Sequence, residues 1–139
     1  MKVYARNAGL WLPLFGLALA GLLSGCSAKV GPSSPVAQNA GGLHIQFATD
    51  PNPPRVGDNT LIVTLTDSKT NAPVVNANVT GAAYNKVAGG GDQETGRSQG
   101  NGVYNVPIKL PTPDQYTANI TVEQIGKPDV SAKFPLSAQ

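Results

Sequence analysis

Residues 116–123 read Tyr-Thr-Ala-Asn-Ile-Thr-Val-Glu, and apolar and polar side chains alternate along the whole segment. Successive side chains of a β-strand point to opposite faces of a sheet, so this period of two places Tyr, Ala, Ile and Val on one face. The other face receives the threonines, the asparagine and the glutamate. The stretch therefore predicts a strand that is buried on one side and solvated on the other.

The same alternation recurs in other parts of the chain, and runs rich in Pro, Gly, Asn or Asp separate most of the segments. No helical period of useful length follows Cys26. The further alternating segments are 43–47, 61–65, 75–79, 104–110 and 130–136. Short strands at near-regular spacing predict an all-β fold, an antiparallel β-sandwich of about six to seven strands over residues 43–139. Pro107 lies within one segment and predicts a sheet edge or a bulge there.

The first 25 residues have the three-part layout of a secretory signal peptide. Lys2 and Arg6 give a positive start, residues 9–23 form an uncharged apolar run, and small residues precede Cys26. The run is shorter than the roughly 20 residues with which a helix crosses a bilayer. We therefore expect residues 1–25 to be cleaved, and an uncleaved membrane helix is the alternative.

Leu23-Ser24-Gly25-Cys26 resembles the lipobox of bacterial lipoproteins at all four positions. The resemblance implies that the signal peptidase recognises Leu23, Ser24 and Gly25, and that Cys26 is acylated and becomes the mature N-terminus. Two or more acyl chains anchor a protein durably, since each buried methylene contributes about 0.8 kcal/mol. Position 27 is Ser rather than Asp, which by the same resemblance favours the periplasmic side of the outer membrane if the cell is Gram-negative.

Loss of the signal changes the charge of the chain. Ten basic residues less Lys2 and Arg6 leave eight, against eight acidic residues, so the mature chain is formally neutral. A balanced charge gives no signature of nucleic-acid binding or of electrostatic attachment to a membrane. Residues 26–42 are rich in Ser, Pro, Gly, Ala and Asn without any period, which predicts a lipidated cysteine followed by a flexible linker.

Within the folded part, the order Pro54-Arg-Val-Gly57-x-Asn59, a Thr/Val/Leu strand, and then Ala72-Pro73-Val74-Val75-x-Ala77-x-Val79 resembles the YtkA-like and FixH-like modules. Gly102-Val103-Tyr104 and the strands that follow add to the likeness, which extends over nearly all of residues 43–139. The resemblance implies an immunoglobulin-like sandwich outside the cytoplasm. Some members of those families are associated with copper handling or with cytochrome oxidase assembly.

Copper requires soft ligands such as thiolate, thioether and imidazole. Related modules carry Met and His in the loop after the third strand, whereas residues 84–102 of this chain contain neither. His44 alone remains as a weak candidate metal ligand, and its strand position places it on the polar face. We therefore predict no metal site and no cofactor other than the lipid on Cys26.

Three further patterns have ordinary structural interpretations. Gly91–Ser98 falls one residue short of the phosphate-binding pattern G-x4-G-K-[ST], because Arg97 replaces the lysine and two carboxylates would repel a phosphate. Tyr84 and Tyr104 follow strand periodicity, which favours a core or rim position over a ligand platform. Oxygen-bearing side chains beside Pro and Gly could surround calcium, but turn formation is their commoner use. These residues are Asp50, Asn52, Asp58 and Asn59.

These observations predict a protein that is not an enzyme, because the chain offers no base and nucleophile in a usable arrangement. We expect a membrane-anchored lipoprotein that serves as a binding or scaffolding module in the cell envelope. Its partners would be membrane lipid, through acylated Cys26, and an envelope protein, without nucleic acid. The alternative is a periplasmic accessory in copper or other metal handling or efflux, which the family resemblance implies.

Overall fold

The computed structural model describes residues 35–87 and 89–139, in which all regular structure consists of β-strands. In chain order the strands are β1 (Val36–Ala40), β2 (Leu43–Asp50), β3 (Gly57–Asp67), β4 (Asn78–Asn85), β5 (Gly89–Gly90), β6 (Glu94–Thr95), β7 (Arg97–Gly100), β8 (Val103–Leu110), β9 (Gln115–Glu123) and β10 (Val130–Ser137). None of the residues in these two ranges forms a helix able to cross a membrane.

The strands form two antiparallel sheets. One has the order β1-β2-β3-β8-β7 and the other has the order β10-β9-β4-β5, with β6 also paired to β4. If β2, β3, β4, β7, β8, β9 and β10 are taken as strands A to G, the sheets contain ABED and CFG, which is the arrangement of constant-type immunoglobulin domains. The prediction of an all-β, antiparallel sandwich is confirmed.

The alternating segments bury the side chains that their period selects. In β9 the residues Tyr116, Ala118, Ile120 and Val122 are all buried. The rings of Phe47 on β2 and Phe134 on β10 stack with centroids 4.8 Å apart and so join the two sheets. Other large core side chains that are essentially inaccessible to solvent are Leu43, Ile45, Leu61, Val63, Leu65, Val79, Tyr104, Val106 and Leu110.

The linker predicted for residues 26–42 is wrong from Val36 onward, because β1 pairs with β2 from Val36↔Phe47 to Ala40↔Leu43. The turn between these strands consists of Gly41 and Gly42, with φ of 55° and 79°. Positive φ at both central residues defines the type I′ turn, whose twist matches that of the strands it joins. Apolar periodicity missed this hairpin since four of the five β1 residues are exposed.

The predicted loop 84–102 is also more regular than expected, because it contains β5, β6 and β7. The two-residue turn after β7 is Asn101-Gly102, and both residues have positive φ, at 49° and 75°. A side chain at Gly102 would collide with the carbonyl oxygen of Leu65, so both the backbone angle and the available space require glycine.

The third strand begins later than the alternation at 75–79 predicts. The structure starts β4 at Asn78, and Pro73 instead forms an isolated bridge with Thr66. The hydroxyl of Tyr104 donates to the carbonyl of Val74 at 2.9 Å and accepts from the backbone N–H of Ala77 at 3.2 Å. This buried phenol therefore stabilises the segment as a connection between sheets.

Pro107 and Pro135 lie within strands at positions where the backbone nitrogen points away from the paired strand. The N–H that proline lacks would therefore make no hydrogen bond within the sheet. The N–H of Leu65 donates to the carbonyl of Gly102, and alternation along the ladder then directs the nitrogen of Pro107 away from β3. Since β7 pairs with β8 only as far as Asn105, no strand of the described chain is paired with that side of Pro107. The edge position that Pro107 predicted is thus observed.

The outer edge of β10 is protected in the same way. The backbone N–H of Lys133 donates to the side chain of Gln38 on β1 at 3.4 Å, so this N–H points away from β9. Pro135, two residues along, has the same orientation and presents no donor. Both edges therefore resist pairing with another strand.

The sandwich has two ends with different loops. The near end comprises residues 51–56, the turn at Lys86 and Val87, residues 111–114 and the C-terminal Gln139, whose N–H donates to the carbonyl of Pro54. The far end comprises the turns at 41–42 and 101–102 and the connections 68–77 and 124–129. β1 runs from the near end toward the far end, so the chain reaches the sandwich at the near end.

Candidate functional site

The predicted lipidation site lies outside the described residues. Leu23, Ser24, Gly25 and Cys26 all precede residue 35, where the described chain begins. Acylation of Cys26 therefore stays a prediction from the lipobox resemblance.

His44 lies on β2, on the face of the sheet that points away from the core. Its Nδ1 is 2.7 Å from Oδ1 of Asn39 on the neighbouring strand β1, and its Nε2 is 3.5 Å from Nε2 of Gln46. Over residues 35–87 and 89–139 no three His, Cys, Asp or Glu side chains come together as a metal site. His44 thus lies in a row of polar side chains on the outer surface of the sheet.

The oxygen-bearing residues considered for calcium lie around the near end, where one of them has a structural task. Asn59 is 5% exposed, and its Oδ1 accepts from the backbone N–H of Arg55 at 2.9 Å. Its Nδ2 donates to the carbonyls of Arg55 and Gly57, at 2.6 and 2.9 Å. Asn59 therefore closes the turn before β3, which supports the turn-forming interpretation.

The segment that resembles a phosphate-binding loop is extended. Gly91–Ser98 contains β6 and the start of β7, and no helix begins after it in the described chain. The backbone N–H of Gly91 donates to Ala83 and that of Gly96 donates to Val79, both along the edge of β4. These amides complete a sheet and do not converge on an anion.

Of the two tyrosines considered as a platform, Tyr104 is 1% exposed and belongs to the core, whereas Tyr84 is 47% exposed on β4. The two are therefore not neighbours on one surface.

A groove opens on the side of the sandwich where β7 stops early. It lies between β8 with the start of β3 on one wall and β4 with residues 91–94 on the other, and its volume is about 500 Å³. Ile108 and Ala83, both core residues, form its floor, and Pro107 and Pro111 extend the apolar lining. A volume of this size is typical of small-ligand or side-chain pockets.

The rim of the groove is acidic. Asp58, Asp92 and Glu94 line it and Lys109 is its one basic lining residue. An apolar floor with this rim is complementary to an apolar group next to a positive charge. We call this feature the β8 groove. Sequence reasoning missed it because it depends on how far β7 extends along β8, and β7 begins only at Arg97, opposite Asn105.

The near end carries a rigid, exposed apolar turn. Val87 is 90% exposed, and its backbone N–H donates to Oδ1 of Asn85 at 2.6 Å. Asn85 is 3% exposed and donates from Nδ2 to the carbonyl of Gln115 at 2.9 Å. Hydrogen bonds from the Asn85 side chain, and then from the N–H of Gln115, lower the pKa of Asp114 below its ordinary value of 3.8. The turn is thus tied to β9.

The far end has its own exposed apolar residues. Ile125 is fully exposed at the tip of the β9–β10 turn, and Val75 is 48% exposed on the β3–β4 connection. The N–H of Lys127 donates to the carbonyl of Gln124, and Gly126 has a φ of 75°, which makes this a type II turn. A hollow lined by Asn76, Asn78 and Glu123 separates the two connections.

No family model and no curated protein matches the chain. Among solved structures, the crystal structure of a DUF4426 family protein (PA0388) from Pseudomonas aeruginosa PAO1 is similar, with a TM-score of 0.52 and 18% sequence identity. The match covers 73% of this chain and 94% of that one. At this identity the likeness shows the fold, that of a bacterial β-rich domain.

Proposed function

We propose that this protein is a non-enzymatic binding module which a lipid on Cys26 holds at a membrane of the bacterial cell envelope, the outer membrane in a Gram-negative cell. The lipobox resemblance of residues 23–26 supports the anchor. The β8 groove carries the binding role, because there the core of the sandwich reaches the surface beside an acidic rim. Membership of the YtkA-like or FixH-like modules belongs to the same proposal and rests on the patterns at 54–59 and 72–79.

The proline on the open side of β8 favours the groove over strand addition at this site. A partner strand would need donors and acceptors along the open side of β8, where Pro107 offers no N–H. The occupant that best fits the groove is an apolar side chain of an envelope protein, flanked by a basic residue that Asp92 or Glu94 can pair with.

Charge reversal tests the groove. Glu94→Lys should abolish recovery of the partner when the protein is crosslinked in its native membrane and purified in detergent, because the rim would then repel a basic residue. Asp129→Lys is the matched control, since Asp129 is exposed at the far end. Equal recovery of the same partner by both variants would contradict the role of the groove.

Two measurements test the lipid anchor and the alternative copper-handling function. Mass spectrometry of the protein from its host should find Cys26 acylated and N-terminal, and an unmodified thiol would overturn the anchor. Titration with Cu(I) and Cu(II) separates the binding module from a copper-handling accessory. One tight site that disappears in His44→Ala would support the copper function instead.

A further inference from the structure

The point at which the chain reaches the sandwich determines which end stays close to the membrane. Val36, the first residue of β1, lies at the near end, where it lines one hollow together with Pro53, Pro54 and Gln139. We propose, resting on the lipid anchor proposed above, that the near end docks on the phospholipid surface that holds Cys26. Val87 and Val56 would be its apolar contacts.

The length of the linker supports this orientation. Ten Cα steps separate Cys26 from Val36. A flexible chain of that length spans about 17 Å on average and about 36 Å when fully extended. β1 carries the chain about 17 Å from the level of Phe47 to the far end. Val130 lies beside Gly41 at that end, so the β9–β10 turn that holds Ile125 projects further still. Contact of the far loops with the same membrane would therefore require the linker to extend beyond its average span. Contact of the near end does not.

The near end has the chemistry of a membrane-surface contact on a rigid support. Val87 is 90% exposed and Val56 is 46% exposed. Lys86 precedes Val87 and Arg55 precedes Val56, so each valine can enter the interface while its neighbour's charge stays among the headgroups. The N–H of Val56 donates to the carbonyl of Gln139 at 3.1 Å, and Asn85 holds Val87.

The charges of this end point to apolar docking without electrostatic attraction. Carboxylates outnumber the basic residues there, so anionic lipid should not strengthen the contact. The charged groups in and beside the near end are three basic residues, Arg55, Lys86 and Lys109, against four acidic ones, Asp50, Asp58, Asp92 and Asp114. Docking should therefore be no stronger on anionic than on neutral vesicles and should survive high salt.

Single tryptophans report the orientation, because the only tryptophan, Trp11, lies in the predicted signal peptide. Val87→Trp, Val56→Trp and Ile125→Trp are made in the full lipoprotein and reconstituted into phosphatidylcholine vesicles with brominated acyl chains. Complete burial of one valine corresponds to about a tenfold preference for the docked orientation. Trp at 87 and at 56 should thus be quenched by bromine and have blue-shifted emission, whereas Trp at 125 should behave as in water.

Ile125 makes the comparison demanding, since it is the larger and more exposed apolar side chain. Equal quenching at 87 and 125, or stronger quenching at 125, would overturn the docking surface while leaving the anchor intact. Loss of quenching at 87 in high salt would also overturn it. Mass spectrometry of the same samples reports the lipid on Cys26, and its absence would overturn both the anchor and the docking that depends on it. Circular dichroism confirms that each variant is folded.

Discussion

Replacement of Tyr104 by phenylalanine removes one oxygen atom from the core and tests how the β3–β4 connection is held. The hydroxyl donates to the carbonyl of Val74 at 2.9 Å and accepts from the N–H of Ala77 at 3.2 Å, while the side chain is only 1% exposed. Phenylalanine keeps the ring packing but leaves both backbone groups without this partner.

The magnitude follows from the two bonds. Each hydrogen bond contributes about 0.5–1.5 kcal/mol, so Tyr104→Phe should lower the free energy of unfolding by about 1–3 kcal/mol. For a domain of this size, 1 kcal/mol corresponds to about 4–8 °C in Tm. Water can reach Val74 and Ala77 in part, since both are only half-buried, which favours the lower half of the range.

Urea unfolding followed by circular dichroism measures the effect. The midpoint should fall while the m-value stays constant, because the surface exposed on unfolding does not change. Tyr84→Phe is the matched control, since it removes the same atom from a side chain that is 47% exposed, and its midpoint should hardly move. Equal midpoints for Tyr104→Phe and the wild type would refute the assignment of the connection's stability to this phenol.

Three other changes test the fold at separate points. Tyr116→Phe should cost about 1–3 kcal/mol in urea unfolding, since its hydroxyl bonds both the N–H and the carbonyl of Thr112 at 3.2 and 3.0 Å; an unchanged midpoint would contradict this. Gly102→Ala should destabilise the domain far more than Gly126→Ala, because both have a φ of 75° but only the first would meet neighbouring atoms; similar Tm values would count against the steric argument. The pKa of Asp67 is lowered from 3.8, chiefly by the hydrogen bond from the backbone N–H of Thr70. The ionised carboxylate therefore stabilises the folded chain above pH 3.8, and this stabilisation is lost as the pH falls through the lower pKa of the folded state. Asp67→Asn should therefore flatten part of the acid limb of a Tm-against-pH curve, and an unaltered limb would refute the linkage.

The strands that periodicity predicted are those with one buried face. Segments around Ile45, Val63 and Ile120 alternate because one side of each belongs to the core, and the structure buries the side chains expected. Strands exposed on both faces give no such signal, and β1 and β7 are of this kind. The turns that follow β1 and β7 do carry a sequence signal, since Gly41-Gly42 and Asn101-Gly102 are typical of two-residue hairpins.

The start of β4 shows a different limit. Val75 and Ala77 continue an alternation into β4, yet Val75 is 48% exposed and the strand starts at Asn78. Side-chain period cannot reveal that the backbone groups of Val74 and Ala77 are bonded to a phenol 30 and 27 residues away in the chain. The β8 groove could not be predicted from the sequence for a related reason, because it depends on how far one strand extends beside another.

The buried polar groups of the described chain bear on which surfaces remain available for function. Asn59, Asn85, Tyr104 and Tyr116 each bond backbone groups of a turn or connection, and no buried side-chain nitrogen or oxygen in residues 35–87 and 89–139 lacks a partner. Since these groups fix loops at both ends of the sandwich, the exposed residues that the loops carry are held in defined positions. Recognition by such a protein would depend on the shape and charge of rigid surfaces, and for this reason the β8 groove and the valines of the near end are the places where substitutions should separate binding from stability.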